Sequence, residues 1–243
     1  MKINKYLAAF CVFILLGSIN AALIYYFYPL NPASKESKPL SGTILWHGNR
    51  KLPEVALTFD DGPNSKATPQ ILDILKQYNI KATFFVLGKF IDQNKDILIR
   101  TSKEGHIIGN HTFSHAKGTL TDIKGIKKEL GQTDQLIKKY TGKDVVYFRP
   151  PFGYENWRFL MEAELLDYSV ILWSLDVGDW NNKKNKEDIV NKINKIARNG
   201  TIILLHDGGA NREAVISSLP AIIKGLKKKG YRFVTIDEMI AHL

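Results

Sequence analysis

Val55-Ala56-Leu57-Thr58-Phe59-Asp60-Asp61-Gly62 is an apolar run that ends in two adjacent carboxylates and a glycine. A short apolar run without strict alternation reads as a strand covered on both faces. The same theme recurs at Ala82 to Leu87, His106 to Gly109, Val145 to Phe148, Tyr168 to Leu175, Thr201 to Leu205 and Tyr231 to Thr235. Helical segments separate these runs. One has Thr68 as cap and Pro69 at its first position, one spans Asp92 to Glu104, and one spans Thr121 to Tyr140 with Ile123, Ile126, Leu130 and Ile137 on one face. Others cover Trp157 to Asp167, Glu187 to Ala197 and Ala214 to Lys229. About seven strands alternating with helices argue for an α/β barrel or a doubly wound sheet. Asp60, Asp61, His111, Arg149, Asp176 and His206 all follow strands directly. That selects the barrel, because its strand ends converge on one rim.

Each of these positions has a bland reading when taken alone. Asp-Gly is a common turn former. Arg149-Pro150-Pro151-Phe152-Gly153 is a rigid turn, and the Asp176-Val177-Gly178-Asp179-Trp180 stretch is a polar loop. His206, after an apolar strand, is a hydrogen-bonded core residue. Together they are hard to assemble by chance. His111 and His115 are spaced i, i+4, which on a helical turn sets two rings on one side as ligands of one ion. An Asp from another strand end completes a His-His-Asp set that leaves positions for water and substrate. An arginine at such a rim is costly unless it meets a carboxylate, so it needs a partner such as Asp60.

The 243 residues suit one domain with an appendage. Cys11 is the single cysteine, so no disulfide forms within the chain and any metal is held by His, Asp or Glu. Residues 1–30 stand apart: Lys2 and Lys5 precede an uncharged stretch that runs to Lys35. Tyr6 to Tyr28 is long enough to cross a bilayer, which takes roughly 20 residues. Tyr25, Tyr26 and Tyr28 resemble an interfacial belt. The stretch lacks a clean Ala-x-Ala site, so an uncleaved membrane anchor is expected, with a cleaved signal peptide as the competing reading. Residues 31–50 read as a linker and 51–243 as the catalytic domain. The net charge of +10 sits in runs such as Lys227-Lys228-Lys229. No aromatic interleaving or motif makes them nucleic-acid contacts. A basic tethered domain is drawn to an anionic wall.

In combination and order, the five rim blocks resemble those of the polysaccharide deacetylases with a NodB-homology domain, carbohydrate esterase family 4. The resemblance runs from about Pro53 to His242. It implies a distorted (β/α) barrel and hydrolysis of N-acetyl groups on a glycan. It further implies Asp60 as general base, Asp61, His111 and His115 as ligands of one divalent ion (zinc or another such as cobalt), and Arg149 as the residue that orients Asp60. Asp176 tunes the acid His206. Trp180 walls the substrate groove, Leu204 lines the acetyl pocket, and the Pro151-Phe152-Gly153 turn supplies the oxyanion donor through the Phe152 N–H. Phe152 stands where many relatives have Tyr. The expected substrate is peptidoglycan, acted on by a monomer on the outer face of the membrane. The alternatives are chitin oligomers, an exopolysaccharide, or a silent glycan-binding relative. A silent relative would have lost a base, ligand or acid, and none is lost.

Overall fold

The computed structural model describes residues 43–117, 122–153, 157–181, 183–209 and 212–243. The expected anchor Tyr6 to Tyr28 lies outside them. Among the described residues no helix is long and apolar enough to cross a membrane. In chain order the elements are β1 (Ile44–Leu45), β2 (Glu54–Gly62), α1 (Ala67–Gln77), β3 (Thr83–Val86) and α2 (Gly88–Ile91). Next come α3 (Lys95–Lys103), β4 (Ile107–Asn110), α4 (Ile123–Thr141), β5 (Tyr147–Phe148), α5 (Trp157–Leu165), β6 (Ser169–Ile171) and β7 (Leu175–Asp176). The chain closes with α6 (Lys186–Ile196), β8 (Thr201–His206), α7 (Glu213–Lys228), β9 (Arg232–Phe233) and α8 (Ile236–Ala241).

The strands form one parallel sheet in the order β1-β6-β5-β4-β3-β2-β8-β7, with β9 added beside β2. The α/β barrel expectation holds, with nine strands in place of about seven. One extra strand arises because the run Tyr168 to Leu175 breaks at Trp173 and Ser174. Its first half pairs with β5 and its second half with β8. β6 and β7 are consecutive in sequence yet stand apart in the ladder, so the barrel is an open one. The other extra strand is β1, inside the stretch read as linker. Ile44 and Leu45 pair with Val170 and Ile171, and His47 bridges to Thr201. The segment therefore spans the gap between β6 and β8, and residues 43–50 belong to the folded domain.

Strand alternation sorts the core into an inner and an outer layer. Val55, Leu57 and Phe59 pack outward under α1 and α7 with Leu72, Leu75 and Ile222. Ala56 faces the barrel interior with Phe85 and Ile202. Continuing by twos along β2 brings Thr58 and Asp60 to the inside. The same step along β8 carries Ile202, Leu204 and His206 inward, while Ile203 and Leu205 join the outer core. The register aligns Asp60 with His206 across the β2–β8 pair. The hydrophobic pattern that fixes the sheet thus also delivers Asp60 and His206 to one rim.

Candidate active site

The pocket at the carboxyl ends of the strands has a volume of about 470 Å³. Asp60, Asp61, His111, His115, Trp173, Asp176, Leu204 and His206 line it, and Pro150, Phe152 and Trp180 complete the wall. Pro151 and Gly153, expected to touch substrate, are buried beside it. Gly153 has φ +72, and a Cβ there would stand 3.0 Å from the Trp173 ring. Its role is to let the turn pack against that ring.

Asp60 is almost fully buried. Its Oδ1 accepts from Arg149 Nη1 at 2.7 Å, as expected for this pair. Arg149 is itself wholly buried and fully engaged. Nη1 also donates to Thr58 Oγ1, Nε to the Ile171 carbonyl and Nη2 to the Leu172 carbonyl, and Phe85 lies under the guanidinium plane at 4.1 Å. Burial pulls the Arg149 pKa down, and Asp60 pulls it back up. A buried cation is tolerated on such terms, with a carboxylate and several acceptors around it. One oxygen of Asp60 is therefore held, and Oδ2 lies 3.8 Å from His111 Nε2.

Asp61, His111 and His115 present ligand atoms within 4.8 Å of one another. Asp61 Oδ1 is buried and has no hydrogen-bond partner among the described residues. The Nε2 atoms of His111 and His115 stand 3.6 and 3.4 Å from it. An orphaned carboxylate oxygen faced by two imidazoles is a donor set that fits a divalent ion. The tautomer agrees, because His111 Nδ1 lies 2.7 Å from the Arg149 carbonyl and must donate to it, leaving Nε2 as the free lone pair. Burial and neighbouring His111 push the His115 pKa down to about 4, so its ring is neutral, as a ligand must be. Burial pushes the Asp61 carboxyl up, but the field of its neighbours, His111 and His115 first and then His206 and Arg212, outweighs it and holds the group below its ordinary value.

The i, i+4 spacing of the histidines does not come from a helix. Residues 111–117 form a loop after β4, with Thr112 at φ +71 and His115 at φ +67. Asp61 and Phe152 are also left-handed, so of the six such non-glycine residues described three line this pocket and a fourth, Thr112, adjoins the ligand His111. Each costs about 1–3 kcal/mol and persists only where its surroundings enforce it.

On the acid side the structure corrects one assignment. His206 Nδ1 lies 2.9 Å from Asp179 Oδ1, and His206 N donates to Asp179 Oδ2 at 2.8 Å. Asp179, not Asp176, is the carboxylate bonded to His206. Asp176 instead accepts from Gly178 N and from the Trp180 indole. Between the two acids the chain turns through Gly178 at φ +77, so residues three apart face different neighbours. Desolvation pushes the His206 pKa down, but the Asp179 hydrogen bond and the charges of Asp179, Asp60 and Asp61 outweigh it, and the pKa is raised. Arg212 backs Asp179, donating to its carbonyl at 3.0 Å. Thr68, expected to cap a helix, instead donates to Asp207 and accepts from Asn64 N. Burial lifts Asp207 to about 7. It sits so close behind Gly62 that a Cβ there would meet it at 2.2 Å. Neither Arg212 nor Asp207 belonged to the motif reading; the Asp207-Gly208-Gly209 run after the strand was the one available signal.

Residues 47–171 match the profile of the family described as polysaccharide deacetylase. The chain belongs to that family. Over 86% of its length it is 39% identical to a peptidoglycan-N-acetylglucosamine deacetylase of Bacillus cereus, of which the match covers 97%. It is 40% identical to the peptidoglycan-N-acetylmuramic acid deacetylase PdaA of Bacillus subtilis, over 79% of this chain and 73% of PdaA. A crystal structure of the Bc1960 peptidoglycan N-acetylglucosamine deacetylase superimposes with a TM-score of 0.79 at 35% identity, covering 84% of this chain and 94% of that one. As a polysaccharide deacetylase the chain is a hydrolase of amide bonds, and the Asp61-His111-His115 set is where the divalent metal of this family fits.

Proposed function

We propose that this deacetylase removes N-acetyl groups from N-acetylglucosamine in peptidoglycan, with zinc at Asp61, His111 and His115. The observation that carries the chemistry is one pocket in which Asp60 and His206 accompany a ligand set with an orphaned oxygen. The names of the similar Bacillus proteins support the polymer.

Asp61, His111 and His115 would hold the divalent ion, which when bound would supply a Lewis acid for the amide carbonyl and lower the pKa of water towards roughly 7. Asp60, fixed through Oδ1 by Arg149, takes the water proton at Oδ2 as the oxygen attacks the acetyl carbon. The Phe152 N–H steadies the developing oxyanion. The acetyl methyl rests against Leu204. His206, with Nδ1 held by Asp179, delivers the Nε2 proton to the nitrogen as the C–N bond breaks. Acetate and a free amine leave.

We place the enzyme on the outer face of the cytoplasmic membrane, as a monomer held by Tyr6 to Tyr28. The length of that stretch, its tyrosine-rich end and the net charge of +10 support this reading. Acetate release from peptidoglycan, chitopentaose and acetylxylan, assayed side by side, tests the substrate. The expected order puts peptidoglycan first, with the new amine on glucosamine. Preference for chitopentaose, or an amine on muramic acid, would replace that substrate. Intact mass of the protein from its native cells tests the anchor; a mature chain starting between Asn20 and Lys35 would make it a signal peptide.

A further inference from the structure

Between His111 and His115 the loop carries Thr112, Phe113 and Ser114, and one carboxylate from a different element grips its tip. Glu129 lies on α4. Its Oε2 accepts from Phe113 N at 2.9 Å and Ser114 N at 2.7 Å, and its Oε1 accepts from Ser114 Oγ at 2.9 Å. The carbonyl side of the loop is held separately: Gly88 N donates to Thr112 O, Lys89 N to Phe113 O and Lys89 Nζ to Ser114 O. Its start is pinned by Asn110 Oδ1, which accepts from Thr112 N, and its end by Thr112 Oγ1, which accepts from His115 N. Phe113 lies over Gly88 so closely that a Cβ at Gly88 would meet its ring at 2.5 Å. The amides of Phe113 and Ser114 thus depend on Glu129, and these two residues lie between the left-handed positions Thr112 and His115. A loop with left-handed residues at Thr112 and His115 has no helical ladder to set the separation of its two imidazoles.

We infer that Glu129 is a positioning residue for the metal site: by holding the tip of the loop it sets the mutual placement of His111 and His115. The inference rests on Asp61, His111 and His115 being the ligands, and not on the identity of the glycan. The acceptor geometry carries the effect, so Glu129→Gln, which keeps an oxygen for the two amides and an amide group for the Ser114 hydroxyl, rescues it.

The test is metal affinity of the full-length chain, stripped and then titrated with Zn²⁺ against a chromophoric chelator and with Co²⁺ by visible absorption. Outer partners of ligands are worth about 10–100-fold in affinity, so Glu129→Ala and Glu129→Asp are expected to bind more weakly by that factor, and Glu129→Gln to stay within about threefold. The cobalt spectrum is expected to change in the first two variants and to keep its wild-type shape in the third. Glu129→Asp retains the charge and a short side chain on the helix, so it carries the test where Glu129→Ala does not fold. Wild-type affinity in Glu129→Asp overturns the inference, as does an equal loss in Glu129→Gln. A wild-type chain that takes up neither ion overturns the ligand assignment itself, a distinct result.

Discussion

His115 and His206 border the same pocket, and their surroundings drive them in opposite directions. Burial beside His111 pushes His115 down to about 4, which keeps the ring neutral and its lone pair available. His206 is more deeply buried, with 12% of its side chain exposed against 27% for His115, yet the hydrogen bond to Asp179 and the nearby carboxylates raise it. The backbone treats them differently too. His206 ends a strand, and the alternation of β8 aims it inward. His111 and His115 sit on a strained loop that other elements must hold. One residue type is therefore suited to the proposed role of ligand or of acid according to what its ring faces, and the difference is set outside the histidines themselves.

The steepest way to break this contrast is to remove the proton-transfer groups while leaving the ligands alone. His206→Ala and Asp60→Asn are each expected to lower turnover by roughly 10²–10⁴-fold, the range of a positioned acid or base. A loss below tenfold in either would deny it that role.

Asp179 sharpens the contrast. In the proposed mechanism His206 works only while protonated, so activity is expected to fall as pH rises through its raised pKa. Removing the Asp179 charge leaves the desolvation that lowers it. In Asp179→Asn the alkaline limb of the kcat/KM profile is therefore expected to move to lower pH, with a loss of about 10–100-fold at the wild-type optimum, less than removal of the acid itself. Asp176→Asn is expected to leave that limb in place. A shift in the second variant and none in the first would return the role to Asp176.

The smallest effect is expected at Phe152, whose ring sits edge-on to His115 at a centroid distance of 4.8 Å. Phe152→Tyr keeps the ring and the backbone, so turnover should stay within a small factor. A collapse in steady-state kinetics would give the ring a role beyond packing.

What the sequence could and could not reveal follows the same division. Asp60 and His206 were legible because each ends an apolar run and alternation aims it inward; Asp61 was legible beside Asp60, but its left-handed φ of +74 and the register shift at the strand end turn it to the pocket. The nine-stranded count was not, because β1 has two residues and the break at Trp173 leaves an apolar run intact in the sequence. The i, i+4 histidines were legible as a pair but suggested a helical turn, since spacing carries no record of left-handed φ. Asp176 and Asp179 could not be told apart by position in a loop; the turn at Gly178 decides which faces His206. Glu129 was invisible, because nothing in a lysine-rich helix marks one glutamate as the partner of a loop fifteen residues earlier.

The most direct test of the central contrast is the metal content of three proteins purified alike: wild type, His111→Ala and His206→Ala. Elemental analysis is expected to find close to one zinc-like ion per chain in the wild type and in His206→Ala, and almost none in His111→Ala, with activity lost in both variants. Metal missing from His206→Ala, or retained in an active His111→Ala, would contradict the separation of ligand from acid.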